Sequence, residues 1–336
     1  ASLILWYFPG RLTRPRILNA QFIALFLVSV LAFAVAKPII LYGEQHKYKD
    51  KIVYQEQTRY QKIVVTQWKE DYWLFINGNT QFSTYDEERY HEPLVHPLMG
   101  LIKERKDILL LGGGDGLAAR EILKYPDVEN LTLVDLDPAM TRLARQDTIF
   151  LSINQGSLND PRVRVVNQDA YQFIKNSGDL YDAVIIDLPD PKSVSLSLLY
   201  SLGFYKMVEK HLKPFGAMVT QSTSPLYSPE AFLCIKKTME AAGFSTIPYQ
   251  NSVPSMGQWG WVLGVRQKTM PAQRLKQELL MLGFADIETR FLNRDAMISM
   301  AHFGKGLFEK EASIEPNTQF DHNILKYYRQ GNWDVY

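Results

Sequence analysis

The sequence predicts an α/β protein: a parallel sheet with helices on both faces, preceded by a small antiparallel β region and an apolar N-terminal helix. Three observations carry this expectation. From Ile108 onward, short apolar, β-branched runs alternate with helical stretches, as parallel strands require, because a crossover must return the chain between them. The first of these runs ends in Gly112-Gly113-Gly114 and opens into a helix at about Leu117. Upstream, between Lys51 and Gln81, apolar and polar residues alternate with period two, the mark of strands with one wet face.

Bulk properties narrow the field. A chain of 336 residues suits one large or two modest domains, and 46% hydrophobic residues suffice for a core. Lys and Arg number 37 against 36 Asp and Glu, a net charge of +1, so no nucleic-acid partner is expected. The single cysteine, Cys234, forbids an intrachain disulfide and reads as a small core residue.

Taken in order, residues 1–16 lack an initiator Met, and Leu3 to Phe8 resembles the tail of a preceding apolar segment followed by a basic loop. The chain therefore reads as the C-terminal piece of a longer, multi-spanning membrane protein. Residues 17–36 carry no charge, and about 20 such residues match the thickness of a hydrocarbon core, which predicts a transmembrane helix over 17–42. Arg11, Arg14 and Arg16 flank one end and Lys37, Lys47, Lys49 and Lys51 the other, so the positive-inside rule does not choose an orientation. Residues 43–95 read as a small β-rich domain with runs KIVYQEQ, QKIVVTQW and DYWLFING, and Asn77-Gly78 is a hairpin turn. Residues 96–267 form the α/β domain, with strands over 107–111, 131–135, 163–166, 183–187, 217–221 and 259–265, and helices near 138–149, 199–212 and 229–242. In 268–336 the pattern weakens to a helix near 271–282 and an appended subdomain.

Ligands of open α/β sheets bind at the carboxyl ends of the strands, and the acids gather there. Asp115 lies inside the glycine turn. It would repel a phosphate or carboxylate and welcome an ammonium. Asp135 ends the second strand, where an acid commonly bonds ribose hydroxyls. Asp137 follows it, Asp169 follows the third strand, and Asp187 and Asp190 close the fourth. For Asp137 and Asp169 a helix N-cap is an equally open reading. Acids at all four strand ends call for a compensating cation, metal or organic. No His or Cys stands at transition-metal spacing and no loop resembles a calcium cage, so no metal is assigned. His91 and His96 read as polar residues at a helix start, and Trp259 and Trp261 as strand packing.

Four motifs in order then resemble the spermidine synthase family of polyamine aminopropyltransferases. They are Asn77-Gly-Asn-Thr-Gln81 with Asp86-Glu-Glu-Arg-Tyr-His-Glu92, then Gly112-Gly-Gly-Asp-Gly116, Val134-Asp-Leu-Asp137 and Asp187-Leu-Pro-Asp-Pro191. The likeness runs over about 54–265, and the apolar N-terminus resembles the bacterial members in which membrane spans precede the synthase domain. The resemblance implies a Rossmann-like, methyltransferase-type fold and transfer of the aminopropyl group of decarboxylated S-adenosylmethionine to an acceptor such as putrescine. The products would be spermidine and methylthioadenosine. It implies this nucleoside as co-substrate and no prosthetic group.

The same resemblance implies that Asp115 holds the co-substrate's ammonium, Asp135 the ribose and Asp169 the adenine edge, with Gly112 and Gly114 lining the nucleoside and Gln81 near its ribose or thioether. Asp187 accepts or relays a proton, Tyr90 places the amine and Asp190 anchors it. His91, Gln221 and Trp259 belong to the acceptor site. It also implies a homo-oligomer.

The chain departs from the family pattern at Asn77, where an Asp is usual, at Lys192-Ser193-Val194, where the family continues x-G-P, and at Gln221-Ser-Thr-Ser-Pro225, which has no acid. Two competing functions share these residues: an S-adenosylmethionine methyltransferase, disfavoured by Asp115, and a non-catalytic polyamine sensor. The expected location is the inner membrane, with the catalytic domain facing the cytoplasm.

Overall fold

The computed structural model describes the backbone of residues 15–333, and the side chains of 20–33 and 43–333. The apolar tail and basic loop expected over 1–16 lie, up to residue 14, outside the described residues. Helix α1, Pro15–Gln45, opens on a proline, which suits a first helical turn whose N–H groups lack partners anyway. The expected transmembrane span is not sustained: among the described residues no helix is long and apolar enough to cross a membrane. The described side chains from 20 to 33 are mostly exposed, and those of 17–19 and 34–42 lie outside the described residues.

The period-two region folds into an antiparallel sheet of β1 (Lys51–Gln57), β2 (Lys62–Trp68), β3 (Asp71–Ile76) and β4 (Asn79–Ser83), in that order. Asn77 and Gly78 both take positive φ, 52° and 80°, in the turn joining β3 to β4, as a two-residue hairpin turn requires. Strand β4 carries no apolar pattern to read in the sequence, because four of its five residues are polar.

Helix α2 (Glu88–Leu101) leads into a seven-stranded sheet, order β10-β11-β9-β8-β5-β6-β7. Its strands are β5 (Asp107–Gly112), β6 (Asn130–Asp135), β7 (Val163–Asn167), β8 (Tyr181–Asp187), β9 (Leu212–Gln221), β10 (Phe244–Val253) and β11 (Gly257–Arg266). Strands β5 to β9 run parallel. The sheet as a whole is mixed, because β10 and β11 form a hairpin and β11 lies antiparallel to β9. Strand β10 escaped the sequence reading since it carries Pro248, Gln250 and Asn251. Proline is tolerated there because β10 is an edge strand.

Alternate residues of β5 feed opposite cores. Ile108 and Leu110 join one and Leu109 and Leu111 the other, so burial on both faces explains the uninterrupted apolar run. The helix expected over 138–149 is two helices, α4 (Pro138–Gln146) and α5 (Thr148–Asn154), because Asp147 between them accepts hydrogen bonds from the N–H groups of Ile149 and Phe150. That expected over 199–212 is α8 (Leu202–Lys210), since Ser201 caps its start and Leu212 already belongs to β9. The remaining helices before residue 250 are α3 (Leu117–Leu123), α6 (Ala170–Asn176), α7 (Val194–Leu198) and α9 (Pro229–Ala241). Cys234 in α9 is fully buried.

Beyond β11 the chain supplies α10 (Ala272–Leu280), α11 (Arg294–Met300) and α12 (Asn323–Arg329). Leu275, Leu279, Leu292 and Met297 enter one core, while Ile314, Ile324 and Tyr328 enter the other.

Candidate active site

The carboxyl ends of β5, β6 and β8 converge on one crevice, and glycine makes the approach possible. At Gly112, φ is +87° and a Cβ would come within 2.0 Å of the Asp187 carbonyl oxygen. A Cβ at Gly114 would meet Oδ2 of Asp135 at 2.5 Å. Instead the Gly114 N–H donates to that oxygen at 3.1 Å, and the Asp137 N–H donates to Oδ1 at 2.9 Å. Burial pushes Asp135 up to about 6, assisted by the nearby charge of Asp115 and opposed by those two backbone donors. Asp115 is half-buried, with Oδ1 accepting from the Leu117 N–H at 2.8 Å. Asp169 caps α6, accepting from the Gln172 N–H at 2.8 Å, and Asp137 caps α4. The capping reading therefore holds for both.

At the end of β8, the Tyr90 hydroxyl donates to Oδ1 of Asp187 at 2.6 Å. Burial pushes Asp187 up to about 6; the charge of His91 and the Tyr90 hydrogen bond oppose this, and Asp115 adds to it. Tyr90 stands edge-on to Trp259, centroids 6.3 Å apart, and 5.5 Å from Trp261, giving an aromatic wall. His91 follows in α2, but its Nδ1 is engaged by Glu87, 3.0 Å from Oε2. Burial works against its charge, yet the hydrogen bond and charge of Glu87, with Asp115 and Asp187, raise its pKa.

Asp190 forms a second carboxylate position. Burial raises its pKa against the charge of Lys192 and the hydrogen bond from Tyr328. The Tyr328 hydroxyl donates to Oδ2 at 2.9 Å and Gln221 Nε2 to Oδ1 at 3.4 Å. Gln221 is heavily committed to protein: Nε2 also donates to the Leu188 carbonyl and to the Tyr200 hydroxyl, each at 2.6 Å, and Oε1 accepts from the Thr223 N–H and Trp259 Nε1. Gln81 is half-buried on β4, donating to the carbonyls of Asn79 and Thr80. That hairpin reaches the loop after Asp190, since Lys192 Nζ donates to Asn79 Oδ1 at 2.6 Å.

Among the described residues the ion pairs leave Asp115, Asp135, Asp169, Asp187 and Asp190 without an Arg or Lys partner. Such a concentration of half-buried acid without ion-pair partners favours a cationic ligand.

Comparison with known proteins agrees with this geometry. Residues 87–277 match the spermine/spermidine synthase domain. The chain belongs to that family. It is 38% identical, over its whole length and 64% of the relative, to a polyamine aminopropyltransferase of Oceanobacillus iheyensis. It is 41% identical to polyamine aminopropyltransferase 1 of Streptomyces coelicolor, covering 97% of this chain and 60% of the relative. The chain thus spans about three fifths of the length of the curated relatives it matches. Among solved structures, a spermidine synthase in complex with the transition-state analogue AdoDATO superposes with a TM-score of 0.67 at 24% identity, covering 78% of this chain and 88% of that one. The spermidine synthase of Thermotoga maritima gives 0.66 at 23% identity, with the same coverage of each chain. At that identity the likeness is one of fold.

Three parts of this family member's site were missed in the sequence. Tyr200, fully buried, donates to the carbonyls of Leu188 and Pro189 and so shapes the Asp187–Asp190 loop. Glu87 receives Nη2 of Arg120 at 2.9 Å and of Arg290 at 2.8 Å, so that His91 stands on an ion network. Tyr328 arrives from beyond the matched domain. Glu87 lay inside a quoted motif; Tyr200 and Tyr328 had no sequence signal.

Proposed function

We propose that the chain is the catalytic part of an aminopropyltransferase that moves the aminopropyl group of decarboxylated S-adenosylmethionine to a polyamine acceptor such as putrescine. The observation that carries this reading is the row of strand-end aspartates, half-buried and without an Arg or Lys ion-pair partner among the described residues. The co-substrate has a sulfonium and an ammonium but no carboxylate. Asp115 takes that ammonium through the oxygen that Leu117 does not use. Asp135 takes the ribose hydroxyls, Asp169 with its neighbouring backbone takes the adenine edge, and Gln81 lies toward the thioether end.

The acceptor arrives as a dication, and an ammonium has no lone pair. Asp187 removes one proton, using the oxygen left open by Tyr90, while Asp190 holds the far ammonium. The freed nitrogen attacks the methylene beside sulfur. The new C–N bond forms as the C–S bond breaks, its electron pair passing to sulfur to give methylthioadenosine. Spermidine leaves carrying the propyl arm. With a pKa near 6, Asp187 is still a weak base for an amine near 10. Rate therefore derives mainly from holding nitrogen and carbon in line within a water-poor pocket. The sulfonium is already an activated leaving group, so no prosthetic group is invoked.

The decisive experiment incubates the purified chain with the decarboxylated nucleoside and putrescine and follows methylthioadenosine. Its formation, dependent on amine, is expected. Absence of product with every di- and triamine would favour a polyamine sensor, and tighter binding of the carboxylate-bearing parent would favour a methyltransferase.

The proposal extends to location and assembly. Ile23, Leu25, Phe26 and Leu31 of α1 are each more than half exposed, and contiguous apolar surface of this kind marks a membrane or protein contact. We assign it to the inner membrane, with the catalytic domain on the cytoplasmic side where the nucleoside is made, and we assign the protein to a homo-oligomer. Flotation with lipid vesicles and light scattering test these two points.

A further inference from the structure

The segment after residue 277 lies outside the matched family domain, yet it reaches the acceptor site. It is tied down by Asn317, which is fully buried. The Asn317 side chain donates to the Ser197 carbonyl at 2.7 Å, its N–H donates to Thr238 Oγ1 at 2.9 Å, and its Oδ1 receives the Ile324 N–H at the start of α12. One turn on, Tyr328 is 6% exposed and donates to Asp190. The two acids are therefore gripped from different elements, Asp187 by Tyr90 of α2 and Asp190 by Tyr328 of α12.

Two further features mark this end as a binding surface. Thr223 holds φ at +56°, an outlier for a β-branched residue. Its hydroxyl is buried and stands close enough to Asp190 to help hold that carboxyl's pKa down. Beyond the carboxylate, Lys192 Nζ lies 5.9 Å from the centre of the Tyr328 ring. An acceptor extending past Asp190 would thus meet a buried ring and then a cation.

We propose that Tyr328 is a specificity-determining residue: its ring ends the acceptor pocket one ammonium beyond the reacting nitrogen, so that the site takes a short diamine and turns away a triamine. This rests on the aminopropyltransferase reading. The discrimination is repulsive in kind, combining steric exclusion with the like charge of Lys192.

The test compares putrescine with spermidine as acceptors for the wild-type chain, Tyr328→Ala and Tyr328→Phe. In Tyr328→Ala the ratio of kcat/KM for spermidine to that for putrescine is expected to rise at least about tenfold, a difference of about 1.4 kcal/mol, mainly through KM for spermidine. Tyr328→Phe keeps the ring and should keep the wild-type ratio. A ratio in Tyr328→Ala within twofold of wild type, or an equal rise in Tyr328→Phe, would overturn the proposal. If Tyr328→Ala fails to bind methylthioadenosine and is judged misfolded, Tyr328→Leu replaces it with the same expectation. Calorimetric affinity for the two amines, with methylthioadenosine present, reads the same preference without turnover. A wild-type chain that makes no product but binds putrescine in preference to spermidine would contradict the function while sustaining this inference. Equal affinity for both amines, or none for either, would overturn it.

Discussion

Tyr90 and Asp187 lie 97 positions apart and share a 2.6 Å hydrogen bond in which the phenol donates. The bond fixes one carboxylate oxygen and leaves the other open to an acceptor. Asp187→Asn keeps the shape and the oxygen that Tyr90 needs but cannot take a proton. Turnover should fall by about 10²–10⁴-fold, the usual worth of a positioned base, while methylthioadenosine binds as in wild type by calorimetry. Loss of nucleoside binding in a folded variant would contradict the assignment.

The pH dependence follows from the same pair. Asp187 must be ionised to accept a proton, and its pKa is near 6. The acidic limb of kcat/KM for the amine should therefore fall as pH drops through about 6. Since the Tyr90 hydrogen bond holds this pKa down, Tyr90→Phe should move the limb to higher pH. A limb that stays in place, measured over pH 5–9 at fixed ionic strength, would remove Tyr90 from this role.

Asp115 discriminates between nucleosides by charge. Asp115→Ala should weaken the decarboxylated nucleoside by about 1.5–3 kcal/mol, the range for a charged hydrogen bond. It should weaken the carboxylate-bearing parent far less. Equal losses for both, measured by titration calorimetry, would show that the carboxylate does not select.

What the sequence disclosed depended on how local the signal was. The strand–glycine–helix turn at Gly112 and the period-two hairpin ending at Asn77-Gly78 are short-range patterns, and both were legible. The acids at strand ends were legible because strand ends define the crevice. By contrast, β10 hid behind Pro248 and polar residues, since an edge strand need not be apolar. Tyr200 and Tyr328 reach the site only through tertiary packing, so nothing near them in the chain announces it. The apolar run of α1 read as a membrane span from its length and its lack of charge, yet among the described residues no helix is long and apolar enough to cross a membrane.

Glu92 holds the C-terminal segment to α2. Although buried, it accepts N–H groups from Arg290, Phe291 and Leu292 at 2.6, 2.9 and 2.7 Å. Glu92→Ala leaves three backbone donors unpaired and should cost about 2–5 kcal/mol, at about 1–3 kcal/mol for each buried group, partly relieved by water. Urea denaturation would measure it. Faster proteolysis within 285–295 should accompany the loss, and a change below about 0.5 kcal/mol would mean that other contacts fasten the segment.

The site should also be a source of instability that pH can reveal. Folding raises Asp187 to about 6, against an ordinary value near 3.9. A raised acid stabilises the fold only while protonated. Its contribution is complete below about pH 4 and is lost as pH climbs through 6, and ionisation at neutral pH then works against folding by up to about 3 kcal/mol. Asp187→Asn removes that burden. It should gain stability over wild type at pH 8, by up to about 3 kcal/mol in urea, and gain almost nothing at pH 4. A bound polyamine should narrow the difference at pH 8, because it supplies Asp187 with a cation that the variant's amide cannot use. If the variant were instead equally or less stable at pH 8, Asp187 would not be the strained charge that the proposed chemistry requires.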